Sequence, residues 1–138
     1  MPTNAESISL IIALAKAHKL LIGKINVELK PLGTSFEIWT ILRLLTDSDG
    51  KTMSELARQA DMASPAATKL IDKLVNDNIV YRRHSRSDRR VVKIFLTEMG
   101  HDIISNGVQI ISDAIGRMGI PAKQLASLVS MLNSVSKD

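Results

Sequence analysis

At Asn78 the spacing of apolar residues changes from helical to alternating, and few folds accommodate that change in a chain of 138 residues. Before it, Ala67, Leu70, Ile71 and Leu74 recur at three- and four-residue intervals, one face of a helix. After it, 79–83 and 91–96 are rich in β-branched and aromatic residues, with Val92, Ile94 and Leu96 on one face. The polar stretch between them is a hairpin tip. Asn78 tolerates the left-handed conformation that ends a helix, so a helix passing directly into a β-hairpin is the local prediction.

The remaining chain reads as helices. Two overlapping apolar stripes run over 7–29, Ile8, Ile11, Ile12, Ala15, Ile22, Ile25 and Leu29 on one and Leu10, Leu14, Ala17 and Leu21 on the other, so this helix needs partners on two sides. Pro31 and Gly33 end it. Thr34 with Glu37 has the spacing of a capping box opening a second helix, which buries Ile38, Ile41, Leu42 and Leu45 with Trp39 alongside. Thr52 with Glu55 opens a short third helix carrying Leu56, Ala57 and Ala60 inward. Asp61-Met62-Ala63 breaks the chain, and Ser64 is the expected N-cap of a fourth helix with Pro65 at its first turn. Its outward residues are Pro65, Thr68, Lys69, Asp72, Lys73 and Asn76. Thr97 caps a fifth helix to about Gly116, striped with Ile104, Val108, Ile111, Ile115 and Met118. Pro121 starts a last helix with Leu125, Leu128, Val129, Leu132 and Val135 inward. The first helix and the last two carry more apolar surface than the central elements can cover, which predicts a subunit interface.

Composition excludes several classes of function. There is no cysteine, hence no disulfide, thiolate metal site or thiol redox chemistry. No run approaches the length of a transmembrane span, and the apolar 8–15 segment lacks the basic flank of a signal peptide, so a cytoplasmic protein with no membrane partner is expected. Asp47-Ser48-Asp49-Gly50 reads as a solvated turn, since a calcium loop would need glycine two residues later and a glutamate where Arg58 stands. His18, His84 and His101 show no paired spacing, so neither metal nor cofactor is expected. A glycine-rich phosphate loop, a His-Glu-x-x-His element and a Gly-x-Ser-x-Gly elbow are all missing, and no catalytic residue is assigned.

The net charge of +4 gains meaning from its distribution. Arg82, Arg83, Arg86, Arg89, Arg90 and Lys93 place six of the chain's 18 Lys plus Arg within twelve positions, opposed only by Asp88. Planar, weakly hydrated guanidinium groups at a hairpin tip suit the negative potential of a narrow DNA minor groove. A solvated charged hairpin would share this composition. The order of elements narrows the choice: a short helix, tight turn and longer helix let the second enter a major groove, and the basic hairpin follows at once.

The segment Tyr81-Arg82-Arg83-His84-Ser85-Arg86-Ser87-Asp88-Arg89-Arg90, closing with Leu96-Thr97-Glu98-Met99-Gly100, resembles the wing of the MarR family of bacterial regulators, in which an Asp-x-Arg precedes a strand ending in Leu-Thr-x-x-Gly. The likeness runs from Leu56-Ala57 through 64–70 to the wing, and the layout agrees over nearly the whole chain. It implies a mainly α protein with a small β-hairpin wing, a single domain over 1–138. Residues 34–97 would form the winged helix-turn-helix lobe, and 7–32 with 98–136 the helices of a homodimer. It implies double-stranded DNA as partner, at a pseudopalindromic site, and repression of transcription. Ser64, Pro65, Ala66, Thr68 and Lys69 match the family's major-groove positions. Arg83, Arg86, Arg89 and Arg90 would serve the wing, Arg90 entering the minor groove and Asp88 orienting these arginines. Release by a small-molecule effector, often aromatic, is also implied, but no motif marks its pocket, and His18, Trp39 and Arg43 are unassigned. The rival class is a winged-helix module that binds another protein and no specific DNA.

Overall fold

The computed structural model describes residues 1–46 and 49–136. Helix α1 (Asn4–Leu29) passes through a 3₁₀ turn (Lys30–Leu32) into α2 (Phe36–Leu44), followed by α3 (Met53–Gln59) and α4 (Ser64–Asn76). Strands β1 (Val80–His84) and β2 (Val92–Leu96) form an antiparallel hairpin, and α5 (Glu98–Gly116) and α6 (Ala122–Val135) complete the chain.

Local chemistry sets most boundaries, in places one to three residues from the expected ones. α1 begins at Asn4 rather than at residue 7, because Thr3 and Glu6 form a reciprocal capping box. α2 is capped by Ser35 and not by Thr34: the Ser35 hydroxyl accepts from Ile38 N at 3.3 Å, and Asn26 of α1 reaches across to accept from Phe36 N at 2.7 Å. Thr52 caps α3 as expected. Ser64 opens α4 but is its first helical residue, with Ala63 as N-cap and no side-chain acceptor for the first amides.

α3 and α4 both end in a left-handed residue, and the hydrogen bonds there explain both corners. Asp61 has φ 54°, with Met62 N bonded to Ala57 O and Asp61 N to Arg58 O; Asn78 has φ 60°, with Ile79 N bonded to Leu74 O and Asn78 N to Val75 O. Each is the paired bonding of a Schellman cap. The first sets the turn between α3 and α4, and the second turns α4 into β1.

The core lies among α2, α3, α4, the hairpin and the first half of α5, centred on Leu42, Leu56, Ile71, Leu74, Val80 and Ile94. Trp39, placed beside the buried stripe of α2 by its spacing, is in that core at 6% exposure. Lys51 pairs with Ile94 through two backbone hydrogen bonds, adding a one-residue third strand. Gly50, at φ +83°, makes the turn into it. Its expected partners in the turn, Asp47 and Ser48, lie outside the described residues.

Helices α5 and α6 depart from their expected stripes. α5 buries Gly100, Ile103, Ile104 and Gly107, while Val108 and Met118 are exposed. On the expected stripe Ile104 is buried and Ile111 packs against the core; the buried face is rotated from that stripe toward Gly100, Ile103 and Gly107. α6 buries none of its residues, and Leu128, Val129, Leu132 and Val135 face outward. The same holds for the first half of α1, where Ile11 is 65% exposed and only Ile25 and Leu29, near its end, are buried. No helix among the described residues is long and apolar enough to cross a membrane.

Candidate nucleic-acid interface

The expected reading residues lie on one side of α4. Ala67, Ile71 and Leu74 anchor that helix in the core, which leaves Ser64, Pro65, Ala66, Thr68 and Lys69 exposed on its first two turns. Thr68 donates its hydroxyl hydrogen to Ser64 O at 2.9 Å, so its methyl group and oxygen lone pairs are what it can offer a base edge. The uncapped amides and dipole of the first turn favour an anion nearby.

The hairpin is built to hold cations outward. Its register pairs Val80 with Leu96, Tyr81 with Phe95, Arg82 with Ile94, Arg83 with Lys93 and His84 with Val92. Val80, Ile94 and Leu96 are buried and belong to the inner face. On the outer face Tyr81 stacks on Phe95 at 5.4 Å, and the Arg83 guanidinium lies 4.7 Å from the Phe95 ring centroid. Beyond the strands, the loop is tied by Ser85 N to Val91 O (2.8 Å), Val91 N to Asp88 O (3.0 Å) and His84 Nδ1 to Arg89 O (2.8 Å). A cup of about 520 Å³ opens beside it, lined by Arg83, Arg86 and Lys93 together with Ser85, Ser87 and Asp49.

Asp88 and Arg90 are joined by three hydrogen bonds within the loop. The carboxylate accepts from Arg90 N at 3.0 Å, from Nε at 3.1 Å and from the terminal guanidinium nitrogen at 3.2 Å. Those hydrogen bonds hold the Asp88 carboxyl below the usual carboxylate range. The Arg90 side chain is still 91% exposed, so the pair aims the arginine and does not bury it. Arg86 and Arg89 are exposed as well.

The Leu-Thr-x-x-Gly end of the motif has a structural reason. Thr97 Oγ1 lies 2.8 Å from Asn78 O and 2.9 Å from Ile79 O, and accepts from Gly100 N at 3.1 Å. A side chain at Gly100 would collide with the Ile79 carbonyl. The motif therefore fastens α5 to the corner from which the wing departs.

Sequence reasoning missed two features. Arg82 is ion-paired with Asp72 of α4, and the signal for it was the alternation itself, which places Arg82 on the inner face with Val80. The His84 tie to Arg89 has no sequence signal. Of the unassigned His18, Trp39 and Arg43, the last two are in contact, the Arg43 guanidinium lying 5.7 Å from the centroid of the buried Trp39 ring, while His18 is exposed on α1.

A short helix, a left-handed corner, a helix with an exposed first turn and an arginine-tipped hairpin together define a winged helix-turn-helix protein. Residues 37–92 match the family model described as "MarR family". Those residues are a MarR-family domain, and the chain is a DNA-binding transcriptional regulator. It is 28% identical over 103 residues to the regulator FarR of Neisseria gonorrhoeae, covering 75% of this chain and 70% of FarR. Its fold is similar to that of the transcriptional repressor CouR bound to a 23-mer DNA duplex, with a TM-score of 0.86 at 21% identity, covering 99% of both chains. It is similar also to CouR from Rhodococcus jostii RHA1 bound to p-coumaroyl-CoA, with a TM-score of 0.82 at 24% identity, covering 98% of this chain and 96% of that one.

Proposed function

We propose that the protein is a cytoplasmic homodimeric repressor that occupies a pseudopalindromic operator by steric exclusion and is displaced by a small-molecule effector. The observation that carries this reading is the pairing of an exposed, carboxylate-aimed Arg90 with an exposed first turn of α4 across the Asn78 corner. In this reading Ser64, Pro65, Ala66, Thr68 and Lys69 face the major groove. Arg90 enters the minor groove, Asp88 orients it, and Arg83, Arg86 and Arg89 approach the flanking backbone. No covalent step is involved, and no catalytic residue is assigned.

Dimerisation is supported by apolar surface left uncovered at both ends of the chain, Ile8, Ile11 and Ile12 of α1 and Leu128, Val129 and Leu132 of α6. Residues 7–32 and 98–136 would then form the dimer base, and 34–97 the DNA-binding lobe. The repressor assignment and the effector rest on the likeness to CouR, which is named a repressor and has been seen with both DNA and p-coumaroyl-CoA. A groove of about 480 Å³ between the C-terminal half of α1 and the end of α5, lined by Leu21, Ile25, Ile115 and Met118 and by the charged Lys24, Glu28 and Arg117, has the volume of a small-molecule site.

Selection of fragmented genomic DNA with the purified protein, followed by sequencing, tests the proposal. A small set of fragments sharing an inverted repeat is expected. Recovery of no fragment above background would leave the protein-binding module as the better description.

A further inference from the structure

Arg82 stands apart from the other wing arginines. Strand alternation puts it on the inner face with Val80, opposite the buried Ile94, while Arg83 takes the outer face over Phe95. From there its guanidinium bonds Asp72, a residue on the outward side of α4 one turn beyond Lys69. Between the two partners the chain passes through the Schellman corner at Asn78. The pair therefore closes a ten-residue loop around the joint between reading helix and wing.

Stability is a poor explanation for this contact. The Arg82 and Asp72 side chains are 37% and 59% exposed, and an ion pair so solvated contributes little to folding. Its position has stronger consequences. An unpaired carboxylate on the outward side of α4 would repel DNA phosphate, and an unpaired guanidinium at the wing root would attract phosphate regardless of sequence. Pairing cancels both charges and restrains the wing relative to α4.

We propose that the Arg82–Asp72 pair is a positioning device for specificity: it sets the wing against the reading helix and withholds one arginine from sequence-independent backbone binding. Arg82 is thus a positioning residue, not a DNA contact. This inference rests on the DNA-binding reading above. Sequence preference depends on the difference between binding to the right duplex and to any duplex, so weakening the second is as effective as strengthening the first.

The test uses the full-length protein and two fluorescent duplexes, one recovered by wild type from fragmented genomic DNA and one of scrambled sequence and equal composition. Affinities are measured across a salt series, with unfolding midpoints measured alongside. Asp72→Asn is expected to bind the scrambled duplex more tightly, its log-affinity versus log-salt slope steeper by about 0.9 per lobe as Arg82 becomes free for phosphate. Its preference for the recovered duplex should fall about three- to tenfold, within the range for coupled contacting residues. Arg82→Gln should lose preference to a similar degree by weakening the recovered duplex, without a steeper slope. Arg82→Lys, which keeps the ion pair, should preserve the preference, and all three should unfold where wild type does.

If Arg82→Gln weakens both duplexes by the same factor and flattens the slope, Arg82 is a phosphate contact and the proposal is wrong. Unchanged preference in both Asp72→Asn and Arg82→Gln overturns it equally, while wild-type discrimination leaves the operator reading standing. Failure of wild type to recover any duplex removes that reading, and the positioning role with it.

Discussion

The indole of Trp39 lies directly against the backbone of Gly107, and its Nε1–H donates to Ile104 O at 3.3 Å, one turn earlier on the same helix. A Cβ at position 107 would overlap the indole ring, so this glycine sets how closely α2 and α5 approach. Three effects compete in Gly107→Ala. Alanine favours a helix interior by about 0.5–1 kcal/mol. Overpacking costs about 1–3 kcal/mol. Displacing the buried indole from its acceptor adds about 1–3 kcal/mol. The second and third together exceed the first, and a net destabilisation of about 1–5 kcal/mol is expected in urea unfolding. Gly116→Ala is the control, since nothing lies within 4 Å of a Cβ there, and it should gain up to about 1 kcal/mol. Midpoints moving the same way in both variants would contradict the packing argument.

Thr97 joins three backbone groups at the base of the wing, so its loss should be felt beyond α5. Thr97→Val keeps the shape and removes the cap to Gly100 N and the contacts with Asn78 O and Ile79 O. A cost of about 1–2 kcal/mol is expected, with Thr97→Ser close to wild type. Thermal unfolding measures the cost, and faster amide exchange at Gly100 in Thr97→Val would localise it. Protection at Gly100 equal to wild type would mean that the hydroxyl is not the cap.

The parts of the fold that were legible are those in which one residue type has one physical reason. Asn78 announced a left-handed corner and Asp61-Met62-Ala63 a break, Thr52 and Thr97 announced helix starts, and alternation in β2 announced its buried Ile94 and Leu96. The readings that failed concern choices between near-equivalent neighbours or partners outside the chain. Thr34 and Ser35 are both competent caps, and Asn26 of α1 tips the start toward Phe36. The α5 face is defined by Gly100 and Gly107, which a search for large apolar residues passes over. The inward stripe assigned to α6 has no surface within this chain to cover it. Within the candidate interface, composition located the cations, but only the strand register separates Arg82 from Arg83.

Asp88 provides a titration that reports on the wing directly. Its hydrogen bonds from Arg90 depress its pKa in the folded protein. A depressed carboxyl favours the folded arrangement in its charged form; that contribution is complete above the unfolded pKa and is lost as pH falls through the folded value. The Arg90 orientation is therefore intact at neutral pH and released only below the ordinary aspartate range. Carbon-detected NMR of the Asp88 carboxyl should show a midpoint below that of an unstructured peptide. Arg90→Ala should move the midpoint upward, and an unmoved midpoint would mean that the clamp does not exist in solution.

Arg90 also separates two modes of DNA contact, through salt dependence. If each lobe of a dimer neutralises three or four phosphates, for which Lys69, Arg83, Arg86 and Arg89 are the exposed candidates, the log-affinity versus log-salt slope should be about −5 to −7. An arginine inserted in the minor groove reads width and potential and adds less to that count than a phosphate clamp would. Arg90→Ala should thus weaken operator binding about tenfold or more while changing the slope by less than about 0.9 per lobe. Folding should be unaffected, because the side chain is 91% exposed. A slope reduced by the full 0.9 per lobe would reassign Arg90 to the phosphate backbone. Wild-type affinity in the variant would remove it from the interface altogether.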